Sequence, residues 1–206
     1  MSFSSLAKVA VAIFMLGMTT VVAKAADYKE GQDYVTVEGI PEPSKPMLRE
    51  FFSYNCPHCY HEDPVIQKLV SLLKGKVAFE RTPVGAHRPS WILSQEAYYL
   101  AQKFKITEQV HSKIFELIHE QHKPFNTDAD LKAFFESQGI DKDVLDKNIG
   151  SADAKLAMEN YETQTQLSKI RGVPSLLVNG KYLIKTHMSD AEELAKLIEY
   201  LANKAD

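Results

Sequence analysis

The chain has 206 residues, 45% hydrophobic and 25% charged, with a formal net charge of -3. That length suits one domain, or one domain carrying an insertion, and the composition is ordinary for a soluble globular chain. Like charges never run beyond a few residues, which argues against a nucleic-acid surface or a polybasic membrane patch.

Residues 1–25 read as a secretory leader. "MSFSSLAK" carries one lysine and no acid, residues 9–22 form an apolar run broken only by Gly17, Thr19 and Thr20, and Ala23-Lys24-Ala25 is an A-x-A cleavage pattern. A membrane anchor is the weaker reading, because a spanning helix needs about 20 apolar residues. Cleavage after Ala25 would leave 181 residues and remove Lys8 and Lys24, taking the net charge from -3 to -5.

Beyond the leader, "DYVTV" (33–37) alternates like a short strand, and "PEPSKP" (41–46) is a loop by its prolines. "MLREFFSY" (47–54) reads as a buried central strand. "PVIQKLVSLLK" follows as a helix with Val65, Leu69, Leu72 and Leu73 on its core face. Pro64 predicts a kink or break in that helix. Residues 76–84 read as another strand.

From about Ser90 to Ser168 the period turns helical, with apolar stripes through Leu93, Ala97 and Leu100, through Val110, Ile114, Leu117 and Ile118, and through Leu131, Phe134 and Phe135. Thr127 is a candidate N-cap and Gly139 a stop. Asp141 is placed to cap a short helix through Val144 and Leu145, and a longer helix runs over 152–168. "SLLVNGKYLI" then reads as a hairpin around Asn179-Gly180. Ser189 and Glu192 form a capping box for a last helix whose core face is Leu194, Leu197, Ile198 and Leu201. This order fits one α/β layer interrupted by helices better than two sequential domains, because neither half would hold a complete sheet.

Both cysteines lie in "FFSYNCPHCYHED", as Cys56 and Cys59. A disulfide between them would close a tiny loop and restrain the unfolded chain little, so chemistry explains the pair better than structure does. At a strand-to-helix junction Cys56 would meet the unpaired amides and positive dipole end of a helix, which favour a thiolate. Pro57 suits the first helical turn. His58 can add a hydrogen bond or positive charge to the same sulfur. Cys59, one turn on, would be more buried and less acidic, and would resolve a mixed disulfide formed at Cys56. Zinc is a poorer fit, since a structural site usually needs a second ligand pair. Neither His61, His87 and His111 nor His119, His122 and His187 supply one. Covalent haem wants C-x-x-C-H, and position 60 is Tyr60.

"EFFSYNCPHCY" together with "RGVPSLLVNGKY" resembles the DsbA family of periplasmic thiol-disulfide oxidases, and the likeness covers nearly all of residues 27–204. It implies an α/β, thioredoxin-like fold with an inserted α-helical domain. The leader would occupy 1–25, the thioredoxin-like domain 26–84 and 169–206, and the helical insert 85–168. It also implies a cis Val173-Pro174 bond beside Cys56, with the Val173 backbone free to pair with an extended substrate. Glu50 shares a strand face with Leu48 and Phe52. Either it tilts to an edge and is solvated, or it is a buried acid beneath Cys59 that moves a proton during exchange, and the family's acid at this spacing favours the second. The substrates implied are reduced exported proteins in the periplasm. The implied reoxidant is a DsbB-like, quinone-linked inner-membrane partner. The protein would act as a monomer with no bound cofactor, metal or nucleic acid. The competing expectations are a disulfide isomerase or reductase, and a peptide-binding chaperone with incidental cysteines. Trp91, Tyr98, Tyr99 and the Phe134-Phe135 pair read as core rather than as a ligand stack.

Overall fold

The computed structural model describes residues 28–42, 46–185 and 190–204. The leader with its cleavage site, His187 and the Ser189 cap lie outside these residues. No helix among the described residues is long and apolar enough to cross a membrane.

Five strands form one sheet: β1 (Tyr34–Thr36), β2 (Met47–Phe52), β3 (Ala78–Pro83), β4 (Ser175–Val178) and β5 (Tyr182–Ile184), in the order β1-β5-β4-β2-β3. β2 pairs parallel with β3 and antiparallel with β4, and the remaining pairs are antiparallel. All six residues of β2 are buried, as expected for a strand with neighbours on both sides and layers on both faces. A parallel pair needs a crossover, and α1 (Pro57–Leu73) supplies it between β2 and β3.

α1 packs on α7 (Ala191–Ala202), and together they cover one sheet face. Leu48, Leu176 and Val178 meet Ile66, Leu69, Leu73, Leu194, Leu197 and Ile198 there. The buried stripe of α1 is Cys59, Asp63, Ile66, Leu69 and Leu73. The stripe read from sequence is therefore rotated: Leu72 is 39% exposed and Ile66 takes its place. Asp63 lies on this buried stripe, where Arg81 and His111 meet its carboxylate. Nor does Pro64 break the helix, which runs unbroken from 57 to 73. Pro64 is exposed, so water can serve the carbonyl that its missing N–H leaves unpaired.

Between β3 and β4 the chain forms five helices: α2 (Pro89–Lys103), α3 (Thr107–His119), α4 (Asp128–Ser137), α5 (Lys142–Asn148) and α6 (Ala152–Leu167). Their core, which includes Leu100, Ile114, Phe115, Leu131 and Phe135, is continuous with Phe52, Tyr54, Cys56 and Cys59. The two thiols thus sit where the inserted helices meet the sheet. Tyr98 and Phe135 are buried in this core, with Trp91, Tyr99 and Phe134 packed against it. Thr127 caps α4 in a reciprocal pair with Asp130, and Asp141 caps α5. Val144 projects outward while Leu145 is buried. The cap of α7 is Asp190, which accepts from the amides of Glu192 and Glu193.

The β4–β5 turn has Asn179 at φ 50° and Gly180 at φ 65°, two left-handed residues in succession, as the twist of a tight hairpin demands. Asn179 also locks the hairpin in place: its Oδ1 accepts from the Met47 amide at 3.0 Å and its Nδ2 donates to the Ala202 carbonyl at 3.0 Å.

On β2, Arg49 and Glu50 point to opposite faces, and Arg49 reaches the inserted helices. Arg49 makes a two-pronged pair with Glu42 at 2.7 and 3.0 Å, and it also meets Glu80, Thr82 and Gln164 of α6.

Candidate active site

Cys56 is the N-cap of α1, with extended backbone at φ -89° and ψ 118°. β2 delivers it through a turn closed by the Cys56 amide donating to the Ser53 carbonyl at 3.0 Å. The helix begins with the Tyr60 amide donating to the Cys56 carbonyl at 3.1 Å. Pro57 occupies the first turn, where a missing N–H loses nothing.

The sulfur of Cys56 faces the loop before β4. The Val173-Pro174 bond is cis, and the Cys56 thiol donates to the Val173 carbonyl at 3.4 Å. The sequence-separated pair of C-P-H-C and Val-Pro therefore meets at one point, and both Val173 and Pro174 are half-buried there. The two thiols differ less in exposure than expected, at 5% for Cys56 and 1% for Cys59.

Their electrostatics differ much more. The Cys56 thiol is lowered to about 6, first by a hydrogen bond from the Cys59 thiol. Burial opposes this. The amides of Cys59 and His58 and the charge of His58 add to the lowering. Cys56 makes no formal side-chain capping bond, so those amides act as dipoles aimed from the first turn. The Cys59 thiol is pushed strongly up, by burial first, then by its bond to Cys56 and that neighbour's charge, with Glu50 adding to the rise. A single negative charge is thus held by Cys56. His58 and Pro57 are exposed and frame the thiol at the surface.

Glu50 is 2% exposed, which excludes the tilted, solvated placement. Neither is it a lone acid. Its carboxylate accepts from Arg81 Nε at 2.7 Å, and Arg81 reaches on to Asp63 at 3.4 Å. His111 Nε2 bonds to Asp63 at 3.0 Å, and His111 Nδ1 to the Tyr54 hydroxyl at 2.9 Å. Burial alone would push the Asp63 carboxyl up, but His111, Arg81 and Gln67 outweigh it and hold it below its ordinary value. Burial pushes the Tyr54 phenol well up, so it keeps its proton and donates. His111 thus bridges Tyr54 and Asp63 through its two ring nitrogens. The chain Glu50–Arg81–Asp63–His111–Tyr54 runs from β2 through β3 and α1 to α3 and on to the turn before Cys56.

Sequence reading missed Arg81, Asp63, His111 and Tyr54. One signal was available: a carboxylate on a fully buried strand demands a cationic partner. Arg49 and Arg81 both qualify by type. Only the parallel register, with Glu50 opposite Arg81, selects between them. Asn55 is tied to α2, its side-chain oxygen accepting from the Ser94 hydroxyl. His61, His87 and His122 are exposed. No group of three His, Cys, Asp or Glu side chains among the described residues is arranged to hold a metal ion.

Residues 47–202 match the family model described as the DSBA-like thioredoxin domain. The thiol:disulfide interchange protein DsbA of Pseudomonas aeruginosa is 30% identical over 194 residues, covering 92% of each chain. The protein of that name from Azotobacter vinelandii is 33% identical over 173 residues, covering 82% of this chain and 80% of its own. The crystal structure of Pseudomonas aeruginosa DsbA superposes with a TM-score of 0.76 at 31% identity, over 86% of this chain and 94% of that one. An acidic thiol at a helix N-terminus, a buried partner three residues on and the Val173 carbonyl of a cis Val-Pro step against the first sulfur thus occur within a fold shared over most of its length. The chain belongs to the DsbA family of thioredoxin-like proteins and is a thiol-disulfide oxidoreductase.

Proposed function

We propose that the protein is a periplasmic oxidase that donates a Cys56–Cys59 disulfide to newly exported proteins. The observation that carries this reading is the opposed tuning of the two thiols, Cys56 down to about 6 and Cys59 up. In the oxidised enzyme a substrate thiolate attacks the Cys56 sulfur. The Cys56–Cys59 bond breaks, and Cys59 leaves and takes up a proton. A second substrate thiolate then attacks the substrate sulfur of the mixed disulfide, and Cys56 leaves as a thiolate. Two electrons pass from the substrate dithiol to the cysteine pair. A stabilised thiolate is a good leaving group and favours the reduced enzyme, so the net flow runs from substrate to enzyme.

Val173 and Pro174 are the substrate-binding element of this proposal, since their backbone lies against Cys56. Glu50 is the buried acid whose charge reaches Cys59, and it is the group proposed to exchange a proton with Cys59. The division into a thioredoxin-like domain (26–84 and 169–206) and a helical domain (85–168), export by the 1–25 leader, action as a monomer and reoxidation by a DsbB-like, quinone-linked membrane partner belong to the same reading.

Oxidation of reduced, unfolded ribonuclease tests it. The oxidised protein should restore ribonuclease activity and Cys56→Ala should not. Activity undiminished by Cys56→Ala would favour a chaperone with incidental cysteines. An oxidised form more stable in urea than the reduced form would overturn the direction of electron flow.

A further inference from the structure

The turn that carries Cys56 is held from outside the sheet. Tyr54, two residues before Cys56, is gripped at both its polar ends by α3. His111 Nδ1 meets its hydroxyl at 2.9 Å, and His119 Nε2 donates to its carbonyl oxygen at 2.8 Å. The two histidines are eight residues apart, a little over two helical turns, so they project from one face of α3. Neither is loose. His111 is anchored by Asp63 of α1 at 3.0 Å, and His119 lies flat on Tyr60 with ring centroids 4.8 Å apart and planes 8° from parallel. The anchors Asp63 and Tyr60 belong to the same helix that Cys56 caps. The clamp therefore ties the turn before Cys56 to the helix after it.

We propose that His111 and His119 are positioning residues that clamp Tyr54 and thereby fix the Cys56 sulfur over the N-terminus of α1. This rests on the thiol-disulfide reading and adds a tuning role for the inserted helices. The physical basis is pre-organisation: amide dipoles stabilise a charge fully only when the charged atom is held where they point. A turn freed to move by a few tenths of an ångström would relax away from that geometry. The thiolate would lose part of its stabilisation even though no group touching the sulfur had changed.

The test uses His119→Leu, Tyr54→Phe and His119→Gln in the full-length protein. Two quantities are read: the Cys56 titration by thiolate absorbance, and the equilibrium constant against glutathione. His119→Leu and Tyr54→Phe each remove one grip. Each should raise the Cys56 titration above about 6. Each should also weaken the enzyme as an oxidant by about two- to tenfold, the worth of one neutral hydrogen bond. His119→Gln keeps a donor in reach of the Tyr54 carbonyl and should stay within about twofold of the parent protein, below what one hydrogen bond is worth. A purely structural role would shift the urea midpoints of both redox forms while leaving titration and equilibrium constant unchanged, and that result overturns the clamp alone. A parent protein whose Cys56 titrates like a free thiol overturns the clamp and the functional reading together.

Discussion

The tuning of Cys56 makes the stability of the reduced protein depend on pH in a way the oxidised protein cannot share. The perturbation is a change of pH from 5 to 8 in each redox form. Cys56 titrates at about 6 when folded, against 9.0 for an ordinary thiol. A depressed value stabilises the folded state above the unfolded value, and this stabilisation is lost as pH falls through the folded one. Between pH 5 and pH 8 linkage gives the reduced form a gain of about 2.6 kcal/mol. Cys56 itself is buried, but solvent at the exposed Pro57 and His58 beside it screens its charge, so about half of this, roughly 1.3 kcal/mol, is the expected gain. Cys59 acts in the other direction. Its raised value contributes stability below the unfolded thiol value that is lost above it, and pH 8 lies just short of that loss. The assay is urea unfolding of the oxidised and anaerobically reduced forms at each pH, with the oxidised curve subtracted. Other titrating groups are common to both forms and largely cancel. The reduced-minus-oxidised difference should climb with pH, most steeply from about pH 6 upward. A flat difference, or one that falls with pH, would refute the assignment of the thiolate to Cys56.

Offered a disulfide substrate, Cys59→Ala should react once: the Cys56 thiolate attacks, one substrate sulfur leaves as a thiolate, and with no Cys59 to displace the other the mixed disulfide at Cys56 should persist on non-reducing gels. Its failure to accumulate would count against Cys56 as the exchanging sulfur. Arg81→Met strips the cation from between Glu50 and Asp63 and leaves two buried carboxylates short of a partner. Urea unfolding at pH 7 should show a loss of about 3–5 kcal/mol, and a loss under about 1 kcal/mol would mean the pair is not buried as described. A Cβ on Gly39 would lie 1.5 Å from the Gly180 carbonyl oxygen, at a φ of +63° that side chains rarely adopt. Gly39→Ala should therefore cost more than about 2 kcal/mol, and a near-neutral thermal melt would show the two turns to be further apart.

The amino-acid pattern by itself determined most of the scaffold and singled out the cysteine pair on which the proposed function rests. Apolar alternation and runs placed the strands, 3.6-residue stripes placed the helices, and Asn179-Gly180, Thr127 and Asp141 marked a hairpin and two caps because each of those signals is local. C-x-x-C at a strand-to-helix junction is likewise a local motif, so Cys56, Pro57, His58 and Cys59 were legible together with the reason one sulfur should be acidic. The tertiary structure decided everything that depends on register and on contacts between distant segments. It turned Asp63 inward against the hydrophobic pattern of α1. It chose Arg81 over Arg49 as the partner of Glu50, and it brought Val173 to the Cys56 sulfur across more than a hundred residues of chain. It also set His111 and His119 at the two ends of Tyr54. A buried charge is stable only where complementary groups converge on it, and convergence is a property of the packed molecule that no stretch of sequence contains.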